Sequence, residues 1–530
     1  MSLTKVSNRM IQNAPINVVD YGADPTGVTV CSTEVQAAID AGAGSNAIYF
    51  PAGTYLCKVT VPNDTTLIGN GWHSVLKLPD SSNESLISPT NTISGANNVE
   101  IRNLTIDGND TNNDISSNGI FIQGNCINWF ITECRFRNTK GNGIRLVGQG
   151  SDGTDTAATQ IVIIDNRFQD TGNKETGVNG RDGIYINRGQ FIQISNNFII
   201  DSGRQAIAFE GSVSPLGADA GRIIVSSNMI YNPTSGGIDD EANNGGRFII
   251  VNNYIESTGG VGIRTLGKNG DTVVANNNIF NAGSAGIDAE NVILTIDSRL
   301  TISNNIIKTT VSDGIKVNTG SKTIVSNNNI GNIGGYGIYM TGDPVYFVKV
   351  IGNVIDTTTN DGIFCRGNGY GLEVVNNSVS DVGISGSQAD GIRISSPDNA
   401  VHWIESIISQ NNVHDTRGSS YMDYSYVFGD LEGSIISQNI ARNVGTGSVQ
   451  WLGSNSSTLV NISNNYWNRA TWSGGPLSYS GASDTLNLED SGVSTPATVA
   501  TKTFIYVDDA DGDLKVKFGD GTVKTIATDT

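Results

Sequence analysis

The 530-residue sequence is poor in charge, histidine and cysteine. Asp, Glu, Lys and Arg make up only 16% of it, and the balance is acidic, with a formal net charge of -19. A protein that holds a polyanion carries an excess of Lys and Arg, which argues against nucleic acid as a partner. Apolar runs never approach the ~20 residues that span a bilayer, so membrane insertion is not expected. Residues 1–10 lack the apolar core of a Sec signal. The histidines are His73, His402 and His414, too few and too scattered for a triad. Cys31, Cys57, Cys126, Cys134 and Cys365 show no metal-type spacing and read as buried thiols. No phosphate loop, zinc motif or calcium loop occurs, so no metal and no cofactor is expected.

What is plentiful is Gly, Asn, and β-branched residues in short alternating runs. An Asn, any residue and an apolar residue recur at Asn166, Asn197, Asn228, Asn253, Asn277, Asn305, Asn328, Asn353, Asn377, Asn411, Asn439 and Asn465, in steps of 23 to 34 residues. A Gly-Ile (or Ala-Ile) pair follows, at a constant offset of nine residues from Asn197 to Asn353. The pieces are too short for helices, so each copy reads as one coil of three strands. Stacked coils make an all-β, right-handed parallel β-helix. Asn suits its turns because it tolerates the left-handed region and its amide bonds to the next coil. The expected organisation is an N-terminal segment and cap over 1–60, the β-helix over 61–470, and a linker with a C-terminal β-meander over 471–530. Residues 32–41 read as a short helix with a capping-box start, placed to plug the open core. Phe504–Val507, Leu514–Phe518 and Thr522–Ile526 form the meander, with turns at Asp511-Gly512 and Asp520-Gly521. One apolar face, with Leu514, Val516 and Phe518, asks for a partner, and three copies packing there would make a homotrimer.

Residues 6–27, Val-Ser-Asn-Arg-Met-Ile-Gln-Asn-Ala-Pro-Ile-Asn-Val-Val-Asp-Tyr-Gly-Ala-Asp-Pro-Thr-Gly, resemble the opening segment of bacteriophage tailspike proteins. Residues 48–55, Ile-Tyr-Phe-Pro-Ala-Gly-Thr-Tyr, resemble the pectate-lyase-like superfamily to which tailspikes belong. The resemblance implies a homotrimeric fibre on the virion tail, made in the host cytoplasm. It would act at the bacterial cell surface, binding and often cleaving a surface polysaccharide. Attachment to a phage tail or baseplate protein is implied too, although the separate particle-binding domain of many tailspikes is not expected here. No catalytic motif transfers with it. Polygalacturonases of the superfamily carry Asn-Thr-Asp, Asp-Asp and Gly-His-Gly; only Asp239-Asp240 has a counterpart.

Candidate chemistry follows from the stacking instead. The Ile after each Gly points inward, so the next residue and the one two later point outward. The first outward column holds Tyr185, Asp239, Arg264, Asp288, Lys316, Tyr339 and Phe364; the second holds Glu210, Glu241 and Glu290. Acidic groups gather in four consecutive coils, between residues 206 and 291. Asp239, Arg264, Asp288 and Lys316 read equally as an ion ladder without function. Glu210 stacked on Glu241 is destabilising unless something uses it. Glycoside hydrolysis needs two carboxyls, one with a raised pKa. The expected general acid is Glu241, with Asp239 or Asp288 as base, Glu210 as an alternative nucleophile, and Glu290 in the same patch. Arg264, Tyr185 and Lys316 would bind sugar, with Arg264 gripping an acidic one. Tyr339 and Phe364, with Tyr426 and Phe428 from an aromatic insert at 415–430, are expected outward as a sugar platform or a subunit contact. The Asp-Gly pairs at 182, 313, 361 and 390 read as turn residues. An endo-acting hydrolase of capsule or O-antigen, a lyase and a non-enzymatic receptor-binding fibre all stay open.

Overall fold

The computed structural model describes residues 14–44, 46–148, 157–172, 181–212, 221–244, 246–266, 271–291, 299–319, 322–384, 388–395, 403–417, 421–429, 431–442, 447–452, 460–467, 504–507, 513–518 and 520–527. Loop residues 173–180 and 213–220, His402, the Asp511-Gly512 turn and the linker from 468 lie outside them.

Each coil contributes one short strand to each of three parallel sheets. Among the described residues the first sheet has 17 strands, from Ile16–Asn17 through Ile48–Phe50 and Thr65–Gly69 to Asn461–Ser463. The second runs from Thr26–Val30 to Tyr466–Trp467, and the third from Val59–Val61 to Gly447–Trp451. The chain is therefore a parallel β-helix, and its first coils fall within residues 1–60. Alternation of side chains along each strand sends every second residue into the core. Ile238, Ile263, Ile287 and Ile315 stand in direct register and are fully buried.

The corner between the first and second sheets is built by the recurring asparagines. Asn277 is representative: its Nδ2 donates to Ile250 O at 2.9 Å and to Asn305 Oδ1 at 3.0 Å, and its Oδ1 accepts from Asn253 N and Asn253 Nδ2 at 3.0 Å. The same pattern runs from Asn166 to Asn465. The two properties assigned to Asn fall on consecutive residues. Asn196, Asn252, Asn276 and Asn304 take the positive φ, while the next residue of each coil forms the ladder.

At the N-terminal end, the helix Ser32–Gly42 buries Val35, Ala38 and Ile39. The expected capping box is not formed. Cys31 occupies the cap position without a side-chain bond to the helix's first turn, and Ser32 Oγ accepts from Lys58 N at 3.0 Å instead. Gln36 pairs with the backbone of Thr60 in both directions, at 2.9 and 3.0 Å. These polar groups fasten the helix to the coil beneath it rather than close its own turn. All five cysteines are free and buried.

Residues 479–530 form a separate unit. Its strands Phe504–Val507, Leu514–Lys517 and Val523–Ala527 pair as an antiparallel meander. Thr522 N donates to Asp520 Oδ1 at 2.8 Å in the turn, where Gly521 has φ +89. The strict alternation expected there does not hold for burial: Lys517 is buried, while Phe518, Val523 and Ile526 are exposed.

Candidate active site

The third sheet sets both outward columns in the expected register. Tyr185, Ala208, Asp239, Arg264, Asp288, Lys316, Tyr339 and Phe364 pair in succession, and Glu210 pairs with Glu241. Glu290 pairs with Asn318 through its backbone; its side chain lies outside the described residues. Asp240, next to Asp239, points inward and accepts from Thr265 Oγ1 at 2.9 Å.

Glu210 and Glu241 do stack, but each has a cation. Arg204, from the corner between the second and third sheets, donates to Glu210 Oε1 at 2.5 Å. It also forks onto Asp182, Nε to Oδ1 at 2.8 Å and Nη2 to Oδ2 at 2.7 Å. Arg264 Nη1 bonds Glu241 Oε1 and lies 3.7 Å from Asp239 Oδ2. Lys316 Nζ is 3.6 Å from Asp288 Oδ2. The proposed ladder thus resolves into pairs, and Arg264 turns toward Glu241.

Asp239 is the carboxyl that the fold isolates. It is outward in register yet only 4% exposed. Burial pushes its pKa up to about 6, against the pull of Arg264 and with the push of Glu241. Gln205 Nε2 donates to its Oδ2 at 2.8 Å. A cleft of about 130 Å³ opens beside it, lined by Ser235, Gly236, Asp239, Gly260, Arg264 and Ser284. Glycine and serine line this stretch of corner; a Cβ on Gly236 would lie 3.3 Å from Val261 O and 3.5 Å from Gln205 Cγ. Tyr185 borders the patch near Glu210; burial raises its hydroxyl's pKa.

Arg204 and Gln205 were not singled out from sequence, and Asp182 was read only as a turn residue. They occupy the corner positions just before the Gly-Ile or Ala-Ile pair, and extending the column reading to those positions finds them. Asp182 is buried, and accepts from Gln205 N at 3.0 Å. Asp361 likewise accepts from Asp390 N at 2.7 Å, so both carboxyls tie the corner of one coil to the next.

The aromatic expectations need correction. Tyr426 and Phe428 are not outward. They pair with Ile392 and Ile394, and both are fully buried. Aligning Gly429 with the closing glycines of other coils is one residue out of register; Gly429 N bonds Ile394 O, and Ser425 stands where other coils have the Gly before Ile. A one-residue slip exchanges the two faces of a strand. Tyr339 and Phe364 keep their column, but their rings stack on each other at 5.5 Å, with Tyr336 on Tyr339 at 4.8 Å and Arg393 5.1 Å over Phe364. Phe364 is only 9% exposed. The ring faces are used within the stack, so this is not an open sugar platform.

Comparison with known proteins bears on the fold. A family described as "Right handed beta helix region" matches residues 182–355 and 291–466, and one described as "Rhamnogalacturonase A/epimerase, pectate lyase-like" matches residues 15–264. The pre-neck appendage protein of Bacillus phage phi29 is 28% identical over 246 residues, covering 43% of this chain and 27% of that protein. Mannuronan C5-epimerase AlgE4 of Azotobacter vinelandii is 34% identical over 119 residues, 20% of this chain and 22% of that one. The chain thus spans about a quarter of the length of these curated relatives. Among solved structures, the tailspike protein of E. coli bacteriophage HK620 superimposes with a TM-score of 0.48 at 13% identity, over 81% of this chain and 78% of that chain.

Proposed function

The chain belongs to the right-handed β-helix family, and from that premise we propose that it binds and hydrolyses a bacterial surface polysaccharide as part of a phage particle. The observation that carries the chemistry is Asp239: a buried carboxyl at the edge of an open cleft, with its pKa pushed up to about 6, next to half-exposed Glu241 and Glu210. A carboxyl that keeps its proton up to about pH 6 is the form a general acid needs. The acid is therefore Asp239 rather than Glu241. Asp239 protonates the glycosidic oxygen as the bond to the anomeric carbon breaks. Glu241, two residues along the same strand, takes the proton of the attacking water. Arg264, bonded to Glu241 and close to Asp239, holds the pair.

Elimination is disfavoured by the cations. A lyase must neutralise the carboxylate of a uronic acid, but Arg204, Arg264 and Lys316 each already face carboxylates of this chain. Partial identity to a phage appendage protein supports the virion setting. Exposed Phe518, Val523 and Ile526 support a homotrimer joined through the C-terminal unit.

The test uses purified capsular and O-antigen polysaccharides. Wild-type protein should release reducing ends without the ultraviolet absorbance of unsaturated uronates. Asp239→Asn should lose roughly 10²–10⁴-fold in turnover while still binding the polymer. Near-full activity in Asp239→Asn, or unsaturated products, would sink this reading.

A further inference from the structure

Asp239 and Gln205 are planar groups joined by one hydrogen bond, from Gln205 Nε2 to Asp239 Oδ2 at 2.8 Å. Their other oxygens, Asp239 Oδ1 and Gln205 Oε1, are both buried and both lack a hydrogen-bond partner among the described residues. Two orphaned acceptors on two groups already in contact are an expensive arrangement for a folded protein. One proton removes both faults. Placed on Asp239 Oδ1, it turns that oxygen into a donor and gives Gln205 Oε1 the partner it lacks.

We propose that Asp239 and Gln205 form an acid–amide pair closed by two hydrogen bonds, in which Gln205 is a positioning residue that stores the proton of the general acid. The proposal rests on the reading of Asp239 as that acid. The charges around the pair are divided. Arg264 from the following coil and Arg204 from the corner favour the ionised form; Glu241 on the same strand favours the protonated one. Both arginines are shared with other carboxylates, Arg204 with Asp182 and Glu210 and Arg264 with Glu241. Burial raises Asp239, while the Gln205 N–H by itself favours the carboxylate; the amide favours the acid only through its Oε1, which a proton on Asp239 Oδ1 would reach. Because the protonated oxygen faces Gln205, delivery requires the carboxyl to rotate about its Cβ–Cγ bond. The proton then moves to the glycosidic oxygen, and Asp239 is left as a carboxylate that solvent reprotonates.

The experiment is infrared difference spectroscopy of the full chain against Asp239→Asn over a pH titration, without substrate. The wild type should show a carboxylic C=O band dependent on Asp239, at the low frequency of a carbonyl that accepts a hydrogen bond. In Gln205→Leu the band should move to higher frequency and its titration midpoint to lower pH, by roughly one unit. A midpoint that rises overturns the proposal, because that is the result if the amide only donates to an ionised carboxylate. If Gln205→Leu does not fold, the wild-type band decides: a free-acid frequency, or no band that depends on Asp239, overturns the pair. Turnover plays no part in this readout. Loss of activity in Asp239→Asn without an acid band would therefore keep hydrolysis and discard the pair.

Discussion

Along the corner between the first and second sheets, Asn side chains stack coil upon coil, and each satisfies the next. On the third sheet, Glu210 stacks on Glu241 in equally good register, and neither can satisfy the other. An amide carries both donor and acceptor, so a column of identical amides is self-complementary. A carboxylate only accepts, so the acidic column imports Arg204 from the corner and Arg264 from the next coil. The same stacking geometry thus yields a closed structural element in one place and an open, chemically unsettled one in the other. In the second place, small residues also line the corner, and a cleft opens beside the isolated Asp239.

The largest effect expected on stability breaks the amide column at its middle. Asn277→Ala deletes four buried hydrogen bonds and leaves Asn253 N and Ile250 O without the side-chain partner they had. It should cost about 4 kcal/mol, read as a lower urea midpoint. The equivalent change at half-buried Asn465, the last rung, should cost about 1 kcal/mol. Equal losses at the two positions would mean that the column does not act through burial of its partners.

A pH titration contrasts the neutralised carboxyls with a second corner pair that has less compensation. Burial, and then the charge of Asp361, raise Asp390 from 3.8 to about 8, while Arg393 Nη1 stands 3.8 Å from its Oδ2. The folded chain holds a proton that the unfolded chain releases near pH 4, so the contribution is full below 3.8 and is lost as pH rises to about 8. The melting temperature should fall by a few degrees across that window. Asp390→Asn should flatten the dependence and leave the variant more stable than wild type above its upper end. An unchanged slope in Asp390→Asn would show that the proton is held elsewhere.

Much of this was open to sequence reading because solenoid stacking makes periodicity and contact the same thing. The offset from Asn to Gly-Ile placed Asp239, Arg264 and Asp288 in one outward column, and Glu210 beside Glu241, without any coordinates. Burial was not legible in this way. Asp239 is outward by alternation but lies beside a corner lined by Ser235, Gly236 and Gly260, residues with no pattern of their own. Arg204 and Gln205 act across coils from a turn, where strand alternation says nothing about direction. The reading failed outright where the repeat was irregular. In the insert before Tyr426, Ser425 takes the place of Gly, and no Gly-Ile pair marked the register.

The smallest expected effect checks that corrected register. The Tyr426 hydroxyl lies in the core, 2.9 Å from Asn411 O and 3.0 Å from Ile440 O, so it bonds the backbone of the amide corner from the inside. Tyr426→Phe keeps the ring and its packing and removes one buried hydrogen bond, which should cost about 1 kcal/mol in urea unfolding. Had Tyr426 faced solvent on the third sheet, as a sugar platform requires, removing its hydroxyl would change stability by no more than about 0.5 kcal/mol. It would instead weaken polysaccharide binding. The inward register therefore predicts a stability loss with unchanged affinity, and the outward register the reverse. One variant, measured in both assays, separates them.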